Sequence, residues 1–215
     1  MTTVDHAHYT AEDLDIEVKF LSASDLKVAA SILYNAYFDD PLFSHIFAHD
    51  EEGYDVRLRS AIREELTTFW NAKQPLLGVY KQGALVASAC LINPNPEFGH
   101  SRYWHWRLKM LLTAGYLGTQ QYLEKEKWVK ERLPAKQCHM ISFIGVHPSM
   151  QDQGIGHILL SAINEVIDSS DNSEGIGVFV TLDKCLSFFA DGDFEHVETL
   201  TTKHINGQIL YKKKK

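Results

Sequence analysis

Apolar positions along this chain fall into two periods, and the switches between them mark the elements. Ile16, Val18 and Phe20 alternate with Glu17 and Lys19, which predicts a half-buried strand. Ser22 to Ser24 can cap a helix that carries Leu26, Ala29, Ala30, Leu33, Ala36 and Tyr37 on one face. Asp39-Asp40-Pro41 should stop that helix, because a residue before proline avoids the α region. A second helix is expected around Leu58, Ile62, Leu66, Phe69 and Trp70. Leu76 to Tyr80 and Leu85 to Ile92, joined through Lys81-Gln82-Gly83, read as a hairpin that ends at Pro94 and Pro96.

Past those prolines the pattern changes. The stretch to Lys136 mixes charges with Tyr103, Trp104, Trp106, Tyr116, Tyr122 and Trp128, and reads as two helices split near Gly115 and Gly118 and stopped by Pro134. Met140 to Val146 is a strong apolar strand, Gly154 to Ile167 a strong amphipathic helix, and Gly175 to Thr181 another strand. His196 to Thr202 and Gln208 to Tyr211 are expected to close the chain as a hairpin turned at Asn206-Gly207, since both turn positions need positive φ. Strand, helix and strand after Met140 should form a right-handed crossover between parallel strands. The earlier strands are meander-like, so the sheet is mixed.

Composition narrows the class. The chain has 215 residues, 45% hydrophobic and 23% charged, which suits one globular domain with an insertion. The plan is a polar extension over 1–15, a single domain over 16–211 containing a helical insertion over 95–136, and a basic tail over 212–215. No apolar run reaches the roughly 18 residues of a membrane span, and the acidic, polar start lacks the apolar stretch of a secretory signal. Cys90, Cys138 and Cys185 lie far apart, as reduced thiols of a cytoplasmic protein would. A net charge of -7 argues against a nucleic-acid partner. Eleven histidines without an H-E-x-x-H motif argue against a zinc enzyme, and no metal is expected.

The chemistry is concentrated between Ile144 and Gly156. Two glycines stand where the strong helix begins, although glycine weakens a helix. One reason for them is close approach of the backbone to a ligand. Helix N-terminal amides are unpaired and carry partial positive charge, so a phosphate or pyrophosphate fits there without a lysine. A Walker loop would need Gly-Lys-Ser/Thr, but His157 and Ile158 follow Gly156. A dinucleotide fingerprint would need a third glycine, where Leu159 stands.

The remaining pattern is Gln151-x-x-Gly154-x-Gly156 with Val146-His147-Pro148 before it. This resembles the coenzyme A signature of the GNAT superfamily of N-acetyltransferases. The likeness extends to the puromycin-acetyltransferase-like branch through Ala36-Tyr37-Phe38-Asp39-Asp40-Pro41, through Leu91-Ile92-Asn93-Pro94, and through the position of the helical insertion. It covers nearly all of 16–211. It implies the α/β GNAT fold: a mixed, mostly antiparallel sheet flanked by helices, with the insertion before the cofactor strand. It also implies transfer of acetyl from acetyl-CoA, as co-substrate, to the primary amine of an acceptor that attacks the thioester directly. Main-chain groups of Ile144, Gly145 and Val146 would hold the pantetheine and polarise the carbonyl. Amides of Gln151, Asp152, Gln153, Gly154, Ile155 and Gly156, with His157, would hold the pyrophosphate.

The C-terminal half departs from the family pattern. Where members carry Asn-x-x-Phe-Tyr-x-x-x-Gly-Phe, this chain has Cys185, Phe188, Phe189, Asp193 and Phe194. The family tyrosine often serves as general acid to the leaving thiolate, and Phe189 cannot donate a proton. By position, Cys185 and Phe189 should lie beside the cofactor. Two residues are candidates for the general base. Ser142 stands where members have a carboxylate within the cofactor strand, and His139 begins that strand and could titrate near neutral pH. A non-catalytic acyl-CoA-binding module and a nucleotide-binding protein that uses the same glycines are the competing readings. Aromatic residues in the insertion and the acidic runs Asp39-Asp40 and Asp50-Glu51-Glu52 suit the pocket of a small amine in a monomer or homodimer. An acetyltransferase of proteins or peptides is the alternative.

Overall fold

The computed structural model describes residues 15–95, 127–201 and 206–215. The aromatic residues 103, 104, 106, 116 and 122 of the expected insertion lie outside them. Seven strands form one sheet: β1 (Ile16–Phe20), β2 (Leu76–Lys81), β3 (Ala84–Ile92), β4 (His139–Val146), β5 (Gly175–Val180), β6 (Glu195–Thr201) and β7 (Asn206–Lys213). Their order is β1-β2-β3-β4-β5-β7-β6. Every neighbouring pair is antiparallel except β4 and β5.

Helices cover both faces. On one face lie α1 (Leu26–Tyr37), α2 (Pro41–Ile46) and α3 (Tyr54–Asn71), whose buried Leu33, Phe43, Leu58, Ile62 and Leu66 meet Leu76, Tyr80, Cys90 and Phe143 of the sheet. A helical segment over residues 127–132 continues that face, with Val129 and Leu133 against Met140, Phe179 and Ile209. On the opposite face lie α4 (Ile155–Asp168) and α5 (Leu186–Asp191). Ile155, Leu159, Leu160, Ile163 and Ile167 form the buried stripe of α4, and full burial of each is worth about 2 kcal/mol.

Three expectations met a different structure. Asp39-Asp40-Pro41 ends α1 as read, but Asp40 also starts α2: its Oδ1 accepts the amides of Leu42 (2.9 Å) and Phe43 (3.1 Å), and Pro41 occupies the first helical position, where a missing N–H costs nothing. Residues after Cys185 form α5. The closing hairpin exists, but Asn206 and Gly207 are paired inside β7, opposite Thr201 and Leu200. Gly207 answers to packing instead: a Cβ there would sit 2.4 Å from the Phe179 ring.

Candidate active site

The parallel pair holds for three residues and then opens. His139, Met140 and Ile141 pair with Ile176, Gly177 and Val178, and no later residue of β4 pairs with β5. The cause is on the other edge of β4. Against β3, Ile141 pairs with Leu91 and Phe143 with Cys90, which leaves Ser142 as an extra residue with no partner opposite it. Such a bulge bends a strand and increases its twist. It also flips the side-chain alternation, so Ile141 packs under α4 while Phe143 packs under α1. Beyond Ser142 the two strands form a fork whose β4 arm carries Ile144, Gly145 and Val146.

Gly145 lets α1 close on that arm. A Cβ there would stand 2.8 Å from Ala36 Cβ and 3.3 Å from Leu33. The approach brings Tyr37, the last residue of α1, over the strand, where its hydroxyl accepts the amide of Ile144 at 3.1 Å. Edge contacts to Phe43 (5.1 Å) and Phe143 (5.3 Å) fix the ring. One turn on, Asp40 is buried at 4% exposure. Besides capping α2, its Oδ2 accepts the hydroxyl proton of Thr181, the residue that follows β5. The α1–α2 corner therefore ties the two arms of the fork together. Sequence reasoning placed Tyr37 in the core stripe of α1 and Asp40 at an acidic rim. The available signal was a phenol in an otherwise aliphatic stripe, three residues before a capping aspartate.

Past Val146 the chain makes a short 3₁₀ turn, Pro148–Met150, capped by His147 Nδ1, which accepts the Ser149 amide. Gln151 Nε2 donates to the Val146 carbonyl at 3.2 Å and so holds the turn to the strand. Asp152 (φ 57°) and Gly154 (φ 77°) are both left-handed, and only glycine takes that region without strain. A Cβ on Gly154 would meet nothing within 4 Å, so this residue faces open space. Gly156 is different: its Cβ would approach the Phe188 ring at 3.0 Å, so contact with α5 also demands a glycine there. Helix α4 begins with no side-chain cap. Its first backbone acceptor, the Gly154 carbonyl, takes the amides of His157 and Ile158. The amides before them are the uncapped donors of a 14-residue helix. Lys81 Nζ, which donates to Gln153 Oε1 at 3.3 Å, and the exposed His157 flank this turn.

The remaining sequence candidates are placed as follows. Ser142 sits at the bulge, and its hydroxyl is buried without a hydrogen-bond partner. Cys185 is partly buried near the fork, and burial holds its thiol in the protonated form by raising its pKa. His139 lies at the closed end of the strand pair, five residues or about 16 Å of strand from Ile144. It is 2% exposed and shares a 2.8 Å hydrogen bond with Ser173 Oγ. Burial, with a smaller push from Lys214, lowers its pKa to about 4. A neutral imidazole walled off at that end does not reach the fork. Phe189 is turned into the core at 3% exposure, between Phe188 (5.0 Å) and Phe194 (5.3 Å), because α5 uses it to pack under the sheet. Ile155 is also buried, so only its amide faces the turn.

No protein-family model matches the sequence, and no curated protein matches it. Solved structures do match in three dimensions. The Corynebacterium glutamicum protein named histone acetyltransferase HPA2 and related acetyltransferase is 12% identical, with a TM-score of 0.67 over 91% of this chain and 94% of that one. The polyamine N-acetyltransferase of Drosophila melanogaster, which forms N-acetylagmatine, is 15% identical, with a TM-score of 0.60 over 93% and 100%. The yncA protein of Salmonella typhimurium, solved with its cofactor acetyl-CoA, is 12% identical, with a TM-score of 0.55 over 93% and 94%. The fold is that of the GNAT acetyltransferases.

Proposed function

We propose that this protein transfers the acetyl group of acetyl-CoA to a primary amine of a small molecule. The observation that carries this reading is the fork: two parallel strands that part at the Ser142 bulge, with an uncapped helix N-terminus one turn beyond the β4 arm. A slot between splayed strands admits an extended pantetheine chain, because their inner main-chain groups have lost their strand partners. The α4 amides and the open face of Gly154 suit its pyrophosphate. In this arrangement Ile144, Gly145 and Val146 line the pantetheine, and Gln151 to His157 hold the phosphates.

Catalysis then rests on placing the amine against the thioester and managing two protons. Asp40 is the buried carboxylate of the fork, and its bond to Thr181 fixes it between the arms. It receives the proton of the attacking nitrogen. Ser142, whose buried hydroxyl lacks a partner, can orient a water for the same proton. His139 is too far away for either task. Cys185 does not form an acetyl-enzyme, since burial disfavours its thiolate. Structures named for agmatine and polyamine acetylation share the fold, and they motivate a small amine as the acceptor.

Calorimetry with acetyl-CoA, ATP and NAD, followed by thiol release over a panel of amines, tests the reading. Acetyl-CoA binding with turnover of a small amine is expected. Binding of ATP or NAD alone would overturn it. Acetyl-CoA binding with no turnover of any amine would favour the non-catalytic module, for which Phe189 in place of the family's tyrosine is the supporting observation. Robust acetylation of protein N-termini or lysines, with none of small amines, would move the acceptor to peptides.

A further inference from the structure

The departing sulfur of a thioester leaves more easily when a proton meets it, and the residue at the family's usual position cannot supply one. Phe189 has no hydroxyl and is buried in the core under the sheet, against Phe188 and Phe194. The fork contains another phenol. The Tyr37 hydroxyl lies on the β4 arm at Ile144, the residue whose main chain is assigned to the thioester end of the cofactor. It accepts one hydrogen bond there, and no acceptor among the described residues takes its own proton. The Tyr37 side chain is only partly buried, and its hydroxyl stands on the β4 arm of the fork.

We propose that Tyr37 is the proton donor to the coenzyme A thiolate, the role having moved from α5 to the end of α1. This rests on the acetyl-transfer reading. The nitrogen lone pair of the acceptor attacks the thioester carbonyl carbon and forms the C–N bond. As the carbonyl re-forms, the C–S bond breaks and sulfur keeps the bonding pair. Sulfur takes the phenolic proton of Tyr37, and Asp40 takes the proton lost by nitrogen. After the thiol departs, Tyr37 regains a proton from solvent and Asp40 releases its proton to solvent, which restores both groups. The products are an amide and a thiol, with no other reactant.

The surroundings act on the phenol in two opposed ways. Burial raises the Tyr37 pKa, which keeps the phenol protonated at neutral pH but weakens it as an acid. The Ile144 amide opposes that rise by bonding to the phenol oxygen, and it would stabilise the phenolate formed in the step. The titratable groups facing the hydroxyl are Asp40 at the α1–α2 corner, Cys90 on β3 and Cys185 before α5. Neither thiol replaces it as donor: Cys90 is wholly buried within the sheet core, and Cys185 has no contact with the Ile144 amide.

Tyr37→Phe tests the proposal, because phenylalanine keeps the edge contacts to Phe43 and Phe143 and removes only the hydroxyl. Rates are measured with two acetyl donors: acetyl-CoA, whose alkyl thiolate needs a proton, and an S-aryl thioacetate, whose stabilised thiolate leaves without one. With acetyl-CoA, kcat should fall about 100-fold, the lower end of what positioned acids contribute, with KM for acetyl-CoA nearly unchanged. With the aryl donor the loss should stay below about threefold. Equal losses with both donors would make Tyr37 a structural residue, and no loss with either would remove it from the reaction. Either result in an active protein overturns this proposal alone. A wild type that binds acetyl-CoA but acetylates no amine overturns the acetyl-transfer reading and this proposal with it.

Discussion

At the scale of single residues, the structure separates side chains that share a position in the family pattern from side chains that share a place in space. Phe189 aligns with a tyrosine, yet 3% exposure under α5 makes it a core residue here. Restoring the hydroxyl with Phe189→Tyr should therefore leave turnover unchanged and lower stability. A buried hydroxyl without a partner costs about 1–3 kcal/mol. Thermal unfolding of the variant beside its amine acetylation rate is the check, and a rate gain without a fall in Tm would place residue 189 in the slot after all. The same separation explains what the sequence could not reveal about Tyr37 and Asp40. Both sit within a helical stripe and its cap, and read in one dimension they serve α1 and α2. Only the missing Cβ of Gly145, which would stand 2.8 Å from Ala36, lets α1 close on the strand and so sets the phenol on Ile144. That glycine was read as a ligand contact, and its packing role depends on which helix lies above it.

At the scale of elements, legibility follows the strength and the locality of the signal. β4 and α4 were readable because β4 is a continuous apolar run and five buried residues of α4 repeat at helical spacing. The bulge that makes them a site was not, since an extra residue at Ser142 exists only relative to β3. α2 was missed because the residues that end one helix also begin the next. Asn206-Gly207 misled for a related reason: its glycine is required by Phe179, a neighbour 28 positions away in sequence but adjacent across the strands. The junction of β4 and α4 carries its own prediction. Gly154 faces open space, so Gly154→Ala adds a methyl group to the phosphate side of the turn without striking protein atoms. Its φ of 77° should reduce stability by roughly 1–2 kcal/mol. Acetyl-CoA affinity should fall by more than tenfold, or about 1.4 kcal/mol. Gly156→Val is a poorer probe, because it also strikes Phe188. Calorimetry on folded Gly154→Ala decides: unchanged affinity would mean that the phosphates bind elsewhere.

At the scale of the whole molecule, the fork has a closed end, and that end is where the sheet's stability responds to pH. His139 is paired with Ile176 across the parallel strands and bonded to Ser173, whose hydroxyl donates to the Gly175 carbonyl at 3.0 Å. The imidazole thus fastens β4 to the residues that lead into β5, in its neutral form. Its pKa is about 4 in the folded chain, against 6.5 for the free side chain. Between those values the unfolded chain binds a proton that the folded chain refuses, so stability rises with pH through that window and is lost as pH falls. Above pH 6.5 the contribution is fully present. Below about pH 4 both states are protonated and the loss is complete, at roughly 3 kcal/mol. From pH 7 to pH 5 this one group should account for about 2 kcal/mol. His139→Asn keeps a donor near Nδ1 for Ser173 and has nothing to titrate. Urea denaturation of both proteins at pH 7 and pH 5 should show a wild-type decrease that exceeds the variant's by that amount, even if the variant starts out less stable. Parallel decreases would mean that His139 accepts its proton without opening the strand pair. The acid sensitivity of the sheet would then lie in its carboxylates.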